Sequence, residues 1–444
     1  MIQSLSSQAV PNYIMNGEAR TSAPRLDKRG AVTYNFPIPM GSRYKTIPRG
    51  TVTTPKGFVA GAAYAGIKTR GDDLLDLGIL CSESPCVATG VFTTNRVKAA
   101  PVLLCQERLA HKRAQAIVVN SGCANACTGG QGLADSAEMA ALTAKKLGLS
   151  PEEVLVASTG VIGVPLPMEH IRGGIGQVVL SREGGHHLVR AMMTTDTFPK
   201  QIAVSINLAG KKATIGGVAK GAGMIHPNLA TLLCFLTTDA ALEDEFAEAS
   251  LRKAVDDSFN MITVDGDTST NDTVLLLANG LAGNKPLRVG TPGGEVFQNA
   301  LQQVCVYLAK CVARDGEGAT RLIEVKVEGA ATGKDARLAA RAVAGSSLVK
   351  AAVHGADPNW GRIIAAAGRS GAKVDQSKVD LYLGNLCLLK SGTPVPFDIG
   401  KARQILSNSD VPIAVNLNLG HKRAVAWGCD LSQEYVVINS AYAT

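Results

Sequence analysis

The 444-residue chain has few aromatic side chains and no long apolar run. Aromatic residues make up only 4% of it while glycine occurs 47 times, so we expect many tight turns and close backbone approaches. No apolar run approaches the roughly 20 residues that a membrane-spanning helix needs. The segment 1–20 also lacks the apolar core of a signal peptide. These absences predict no membrane partner.

Metal and nucleic-acid motifs are absent from the sequence as well. None of the ten cysteines forms a CxxC pair, the seven histidines show no HExxH spacing, and there is no GxSxG or P-loop. The net charge of +8 comes from scattered Lys and Arg, without a recognisable nucleic-acid module. We therefore expect no metal, no nucleotide cofactor and no nucleic-acid partner.

Several cysteines lie inside apolar runs, for example Cys234 and Cys305. This pattern is typical of small buried hydrophobic residues in a reducing compartment. The N-terminal segment, rich in Ser, Pro and Arg, is interpreted as a flexible extension of a cytoplasmic protein. An organellar transit segment is the alternative, although Glu18 and Asp27 interrupt it.

Length and pattern predict roughly two or three domains. We expect an extension over 1–44, an α/β body over 45–318 and a C-terminal α+β domain over 319–444. Apolar periodicity predicts helices at 132–147, 246–259, 295–313 and 334–344, and residues 187–193 resemble the end of a helix. Buried or alternating strands are predicted at 116–120, 154–158, 232–236, 274–278, 322–327, 379–383, 413–417 and 424–426.

The most informative stretch is KGAGMIHPNLATLLCFLTTDA, from Lys220 to Ala240. A threonine hydroxyl held on a tight turn can attack the carbonyl of the preceding residue, and hydrolysis of the resulting ester makes Thr231 a new N-terminus. The freed α-amine has an ordinary pKa of about 7.7–8.0, so it can take the hydroxyl proton near neutral pH. One residue then supplies both nucleophile and base. On physical grounds alone, the same residues also fit an ordinary turn followed by a buried strand.

This stretch resembles the self-cleavage segment of the ornithine acetyltransferase family, the bifunctional glutamate N-acetyltransferases of arginine biosynthesis. The family pattern is close to KGxGMIxPNMATML, cut between Ala and Thr, and here Leu229 replaces the usual Met. Further segments match in order over residues 47–444: ASTGVIG, TTDTxPK, DGEGAT, DPNWGRI and the terminal INSAYAT.

The resemblance implies a role for each matching residue. The cleavage site is Ala230 and Thr231, and Thr231 is the nucleophile. Thr159 and Gly160 form the oxyanion hole. The substrate-binding residues are Thr194, Lys220, Thr231, Glu317, Asn439 and Thr444. The DPNWGRI stretch, Asp357 to Ile363, is interpreted as a structural turn near the site.

The resemblance also implies a fold and an activity. We expect a layered α/β/β/α body of the ornithine acetyltransferase/DmpA type, with two sheets face to face between helices. The implied enzyme moves acetyl from N2-acetyl-L-ornithine to L-glutamate through an acetyl-threonine, without a cofactor, and acetyl-CoA is a possible co-substrate. The cut chains would associate as a heterotetramer of two of each. A self-processing aminopeptidase or amidase, and a non-enzymatic binding protein, are the alternatives.

Overall fold

The computed structural model describes residues 25–26, 32–33, 44–68, 75–226 and 232–441. The predicted cleavage residues Ala230 and Thr231, and the predicted substrate contact Thr444, lie outside the described residues. The chain divides into two compact units, residues 1–42 and 43–444. In the first unit, strands β1 (Arg25–Leu26) and β2 (Val32–Thr33) pair antiparallel.

The second unit contains the remaining strands and the helices. Its strands are β3 (Tyr44–Thr46), β4 (Phe58–Ala63), β5 (Leu77–Phe92), β6 (Arg113–Cys123), β7 (Val154–Val161), β8 (Lys200–Leu208), β9 (Lys211–Lys220), β10 (Leu233–Thr238), β11 (Ile262–Thr263), β12 (Thr273–Ala278), β13 (Leu322–Ala330), β14 (Asp380–Leu383), β15 (Leu386–Lys390), β16 (Thr393–Pro394), β17 (Asp410–Asn416) and β18 (Lys422–Cys429). Its helices are α1 (Ala100–Arg108), α2 (Gly129–Leu147), α3 (Met168–Gln177), α4 (Gly185–Met192), α5 (Asp244–Asp256), α6 (Pro292–Arg314), α7 (Gly333–Ala344), α8 (Ser347–His354), α9 (Trp360–Gly368), α10 (Ile399–Leu406) and α11 (Gln433–Ala441).

Nine strands form one mixed sheet in the order β3-β8-β9-β10-β12-β5-β6-β7, with β4 paired to β5 off this path. The 16-residue strand β5 joins its two halves. The first half of β5 pairs with β4 and β6, and the second half, from Val87 to Phe92, pairs with β12. Between the halves the register shifts, from Cys81 to Cys86. Irregularities of this kind bend a strand and increase its twist.

The core shows that the two halves of this sheet face each other. Ile117 and Val119 of β6 share a buried cluster with Phe235 of β10, on the other half. Val118 lies between them and belongs to a second cluster with Met139 of α2. The alternation follows from the two-residue period of a strand, which sends neighbouring side chains to opposite faces.

Helices cover the outer faces of both halves. Helices α2 and α3 supply side chains to the outer cluster on β5, β6 and β7, while α5 and α6 contact the half that contains β8, β9 and β12. The predicted α/β class and its α/β/β/α layering are therefore confirmed. The two facing layers are halves of one continuous sheet, which the sequence did not indicate.

A second, seven-stranded sheet follows the order β11-β18-β13-β17-β14-β15-β16. Helix α7 packs on β13 and β18, and α6 contacts strands of both sheets. Strand β11, at Ile262–Thr263, precedes the predicted boundary at 318/319 and pairs with β18. The boundary itself stays a prediction, since residues 43–444 form one compact unit.

Most of the predicted elements are present. The helix expected at 132–147 is α2, which ends at Gly148 with a left-handed φ of 69°, and the helix expected at 295–313 is α6. Helices α1, α3, α8, α9, α10 and α11 were not predicted. Eight of the ten cysteines are buried and all are free, as the apolar runs indicated. Within the described ranges, no helix is both long and apolar enough to cross a bilayer.

Candidate active site

A cleft lies where strands β7 and β9 end, and the loop after α6 and the final helix α11 complete its wall. The sequence predicted site residues from five separate segments. Those that line this cleft are Thr159, Gly160, Thr194, Lys220, Glu317 and Asn439. Segments distant in sequence are therefore brought to one place, and every predicted site residue among the described ones lies there.

The ammonium group of Lys220, the last residue of β9, connects two threonines of the cleft. Lys220 is 3% exposed. Its Nζ donates to Thr194 Oγ1 at 2.9 Å and to Thr159 Oγ1 at 3.3 Å. A hydroxyl that accepts a hydrogen bond from an ammonium can still donate its own proton. The contact therefore makes both threonines suitable donors to an anionic group in the cleft.

Gly160 is fixed by close backbone contact near the end of β7. Its φ is +130°, and a Cβ there would lie 2.3 Å from the carbonyl carbon of Gly122 and 2.6 Å from the nitrogen of Cys123. Only glycine fits this position. The side chain of Asn271 supports the same strand end, because its Nδ2 donates to the Ser158 carbonyl at 2.8 Å. The strand therefore presents Thr159 and Gly160 in a fixed geometry.

Glu317 forms the acidic side of the cleft. Its N–H donates to the carbonyl of Ala222 at 2.9 Å, and its Oε2 accepts a hydrogen bond from Nδ2 of Asn439 at 2.8 Å. Helix α11 is thereby attached to the loop after α6. The C-terminal helix therefore lies beside the cleft as far as Asn439.

A buried group of charges lies behind the cleft. Nζ of Lys200 contacts Asp196 Oδ1 at 2.6 Å and Asp315 Oδ2 at 2.5 Å. Asp196 Oδ2 is also 4.0 Å from Nζ of Lys220. Burial lowers the pKa of Lys220, while the carboxylate of Asp196 acts in the opposite direction, and the net pKa lies below the ordinary value. The charge on Lys220 is therefore sensitive to its buried neighbours.

Two aspartates hold the chain on either side of residues 227–231. Asp265 accepts the N–H groups of Met224 at 2.5 Å and Ile225 at 2.8 Å. Asp272 accepts the N–H of Leu232 at 3.0 Å. Burial raises the pKa of both carboxyl groups. The chain is thus anchored on both sides of the predicted cleavage site, while Ala230 and Thr231 are not described.

Several residues of the cleft were not identified from the sequence. Asp265, Asp267, Asn271 and Tyr435 line it. The first three fall in a polar loop beside apolar segments, which was their only sequence signal, and Tyr435 lies on the unpredicted helix α11. Trp360, from the segment interpreted as a turn, instead begins α9 and lines a separate small apolar pocket. Among the described residues, no cluster of three or more His, Cys, Asp or Glu is arranged to hold a metal.

Together these features define a layered α/β protein with hydroxyl, ammonium and carboxylate groups converging at the ends of two strands. A family model described as "ArgJ family" matches residues 59–444. The chain is 55% identical over 405 residues to the "Arginine biosynthesis bifunctional protein ArgJ" of Dehalococcoides mccartyi, covering 91% of this chain and 100% of that one. It is 56% identical over 397 residues to the protein of the same name from Symbiobacterium thermophilum, covering 89% of this chain and 99% of that one.

A solved structure of the "Arginine biosynthesis bifunctional protein argJ" from Bacillus halodurans is 47% identical and covers 46% of this chain and 97% of that chain, with a TM-score of 0.45. The assignment rests on the sequence matches, which span most of the chain. The protein belongs to the ArgJ family.

Proposed function

We propose that this protein is a self-processing acetyltransferase that moves acetyl from N2-acetyl-L-ornithine to L-glutamate in arginine biosynthesis. The observation that carries the proposal is the convergence of Lys220, Thr159 and Thr194 at one side of a cleft whose other side is Glu317 with Asn439. Transfer of acetyl between amino acids requires hydrogen-bond donors that stabilise an oxyanion. It also requires a carboxylate that binds the ammonium group of an amino acid.

The first step in this proposal is the cut. The hydroxyl oxygen of Thr231 bonds to the carbonyl carbon of Ala230. The C–N bond between the two residues breaks, and the nitrogen of Thr231 takes the proton that the hydroxyl has lost. Water then hydrolyses the ester, which leaves a carboxylate on Ala230 and restores the hydroxyl. The anchoring of Ile225 by Asp265 and of Leu232 by Asp272 supports this step, since it restrains the chain on both sides.

The acetyl transfer then takes two half-reactions. The α-amine of Thr231 accepts the hydroxyl proton while the oxygen attacks the acetyl carbon of N-acetylornithine. The hydroxyl of Thr159 and the N–H of Gly160 stabilise the oxyanion. Ornithine leaves with the proton, and Thr231 carries the acetyl group as an ester. The α-ammonium group of glutamate loses one proton to solvent, and the resulting α-amine attacks that ester. As the ester C–O bond breaks, a second proton passes from this nitrogen through the α-amine of Thr231 to the threonine oxygen, which gives N-acetylglutamate and the free hydroxyl.

Substrate binding is assigned to the remaining predicted residues. Glu317, held by Asn439, pairs with the α-ammonium group of the arriving glutamate before that group loses its proton, and Thr194 and Thr444 contact the substrate. Lys220 supplies positive charge to this region and orients the hydroxyls of Thr194 and Thr159 by donating to their oxygens. No cofactor is needed, because the acetyl group is recycled from one amino acid to the next.

A second acetyl donor, acetyl-CoA, is proposed because the relatives are named bifunctional. The two cut chains, 1–230 and 231–444, are proposed to remain together as a heterotetramer of two of each. The pairing of β9 with β10 supports their association, since these strands lie on opposite sides of the cut. Their antiparallel ladder runs from the pair Lys220–Leu233 to the pair Ile215–Thr238. The compartment, cytoplasm or an organelle matrix, stays a prediction.

Intact mass spectrometry before and after addition of N-acetylornithine tests the proposal. Two fragments that meet between Ala230 and Thr231, with one acetyl group added to the C-terminal fragment, are the expected result. Adding glutamate should then transfer the label from acetyl-labelled substrate to N-acetylglutamate. Labelled free acetate instead would identify an amidase, and one uncut chain without added mass would support a binding protein.

A further inference from the structure

Lys200 is a fully buried cation, and it does not touch the cleft. Its side chain is 0% exposed, and its ammonium group lies between the carboxylates of Asp196 and Asp315, whose side chains are 0% and 2% exposed. A solitary buried charge is strongly unfavourable, so groups of this kind occur where they are paired. These three side chains form what we term the buried charge triad.

One member of the triad, Asp196, organises two segments of the cleft. Its Oδ2 accepts the N–H of Thr194 at 3.1 Å. Its Oδ1 accepts the N–H of Gly221 at 2.7 Å, and Gly221 is the residue after Lys220. The carboxylate that binds Lys200 therefore also fixes the backbone beside both Thr194 and Lys220.

The other member, Asp315, connects the triad to the acidic side of the cleft. It accepts the N–H of Thr197 at 3.0 Å and also the hydroxyl of Thr197. Asp315 is two residues before Glu317 in the short loop after α6. The position of Glu317 therefore depends on a contact with the segment that carries Thr194.

We propose that Lys200 is a positioning residue of the acetyl-transfer site, where it holds the segments of Thr194, Lys220 and Glu317 together and shares Asp196 with Lys220. This inference rests on the proposed function. It assigns Lys200 no contact with substrate. Its effect reaches the reaction through the placement of Glu317 and through the charge available to Lys220.

The sharing of Asp196 gives this role a signature that a purely structural ion pair lacks. The charged or titratable groups that face Lys220 are Asp196, Lys200, Glu317 and Asp272. Burial lowers the pKa of Lys220. The charges of Asp196 and Glu317 raise this pKa, and the charge of Lys200 lowers it. Loss of Lys200 should therefore raise the pKa of Lys220, and loss of the Asp196 charge should lower it.

The test is the pH dependence of acetyl transfer to glutamate in Lys200→Met and Asp196→Asn. If the Lys220 ammonium orients the threonine hydroxyls, activity falls on the alkaline side as Lys220 loses its proton. We expect this alkaline limb to move to higher pH in Lys200→Met and to lower pH in Asp196→Asn, each by about one pH unit, as is typical of a neighbouring charge. Rates are normalised to the fraction of cut chain, measured by intact mass.

A matched control is Lys253→Met, which removes a surface lysine paired with Asp257 on α5 and should leave the limb unchanged. If Lys200→Met fails to fold, the double variant Lys200→Met with Asp315→Asn removes one positive and one negative charge together. This double variant should fold, and its alkaline limb should move to higher pH as in Lys200→Met. Its KM for glutamate should rise about tenfold, because the Glu317 loop has lost the contact between Asp315 and Lys200.

The outcomes separate the two hypotheses. In one case the wild type transfers acetyl while the alkaline limb stays in place in both variants or moves in the same direction in both. Either result overturns the role of Lys200 and leaves the proposed function intact. Absence of transfer by the wild type overturns both. Opposite shifts with an unchanged control support the positioning role.

Discussion

The carboxylate of Glu317 lies directly against the Cα of Gly223. A Cβ built on Gly223 would be 2.5 Å from the carboxyl carbon of Glu317, nearer than real Cβ contacts allow. The turn before the predicted cleavage site therefore shapes the acidic side of the cleft. Glycine at this position is needed for the close approach itself, since it gives the carboxylate room.

Gly223→Ala should displace Glu317 and weaken amino-acid binding. We expect the KM for glutamate to rise about tenfold or more, as for the loss of a hydrogen bond to a charged group, with a smaller change in kcat. Steady-state kinetics of acetyl transfer measure both. Gly173→Ala on α3 is the control, because a Cβ there has nothing within 4 Å. Equal KM values for the two variants would contradict the role of Glu317.

Gly160→Ala should displace the backbone N–H that serves as the second oxyanion donor. The new Cβ would collide with the backbone of Gly122 and Cys123, and loss of one such donor typically lowers kcat by about 10²–10³. Gly163→Ala is the control, since Gly163 also has a positive φ, of +83°, but a Cβ there meets nothing within 4 Å. Comparable turnover by Gly160→Ala and Gly163→Ala would remove Gly160 from the oxyanion hole.

Asn439→Asp should impair substrate binding more than Asn439→Ala. The alanine variant loses the hydrogen bond to Glu317, worth about 1.5–3 kcal/mol for a charged acceptor, and the aspartate variant adds a like charge beside the same carboxylate. The KM for glutamate should therefore increase in the order wild type, alanine, aspartate. Ser440→Ala, on the same helix and exposed, should behave as wild type.

Thr231→Ala should yield a single uncut chain without transfer activity, because the nucleophile is gone. Thr231→Ser keeps a hydroxyl and should retain some cleavage and some transfer. Gel electrophoresis and intact mass of the purified variants measure the cut directly. Normal processing of the alanine variant would exclude Thr231 as the nucleophile, and a wholly uncut serine variant would count against attack by a simple hydroxyl.

Local signals predicted much of this molecule, and non-local contacts account for what was missed. Helix α2 and its stop at Gly148 follow from apolar spacing within one segment. The bend of β5 depends on strands paired to its two halves, and the contact between Lys200 and Asp315 joins residues 115 positions apart. No periodicity encodes such pairs. The predicted site residues, six of which line one cleft, came from a family pattern, which carries long-range contacts implicitly, unlike local propensity.

Asp430 gives a prediction for stability at low pH. Its side chain accepts hydrogen bonds from the Thr320 N–H at 2.8 Å, the Thr320 hydroxyl at 2.6 Å, the Arg321 N–H at 2.8 Å and His354 Nδ1 at 2.8 Å. Burial opposes ionisation, but the hydrogen bonds outweigh it, so the pKa of Asp430 lies below its ordinary value. A carboxyl whose pKa is lowered by folding stabilises the protein above the unfolded pKa, about 3.9, and loses that contribution as the pH falls through the folded pKa.

Asp430→Asn should therefore lower the free energy of unfolding by about 1.5–3 kcal/mol at pH 7, and the difference from the parent should shrink on acidification below about pH 4. Urea titrations in the uncut Thr231→Ala background measure it for a single chain. Glu245→Gln, which changes an exposed carboxyl on α5, is the control. A difference that stayed constant with pH would show that Asp430 acts through packing rather than through its charge.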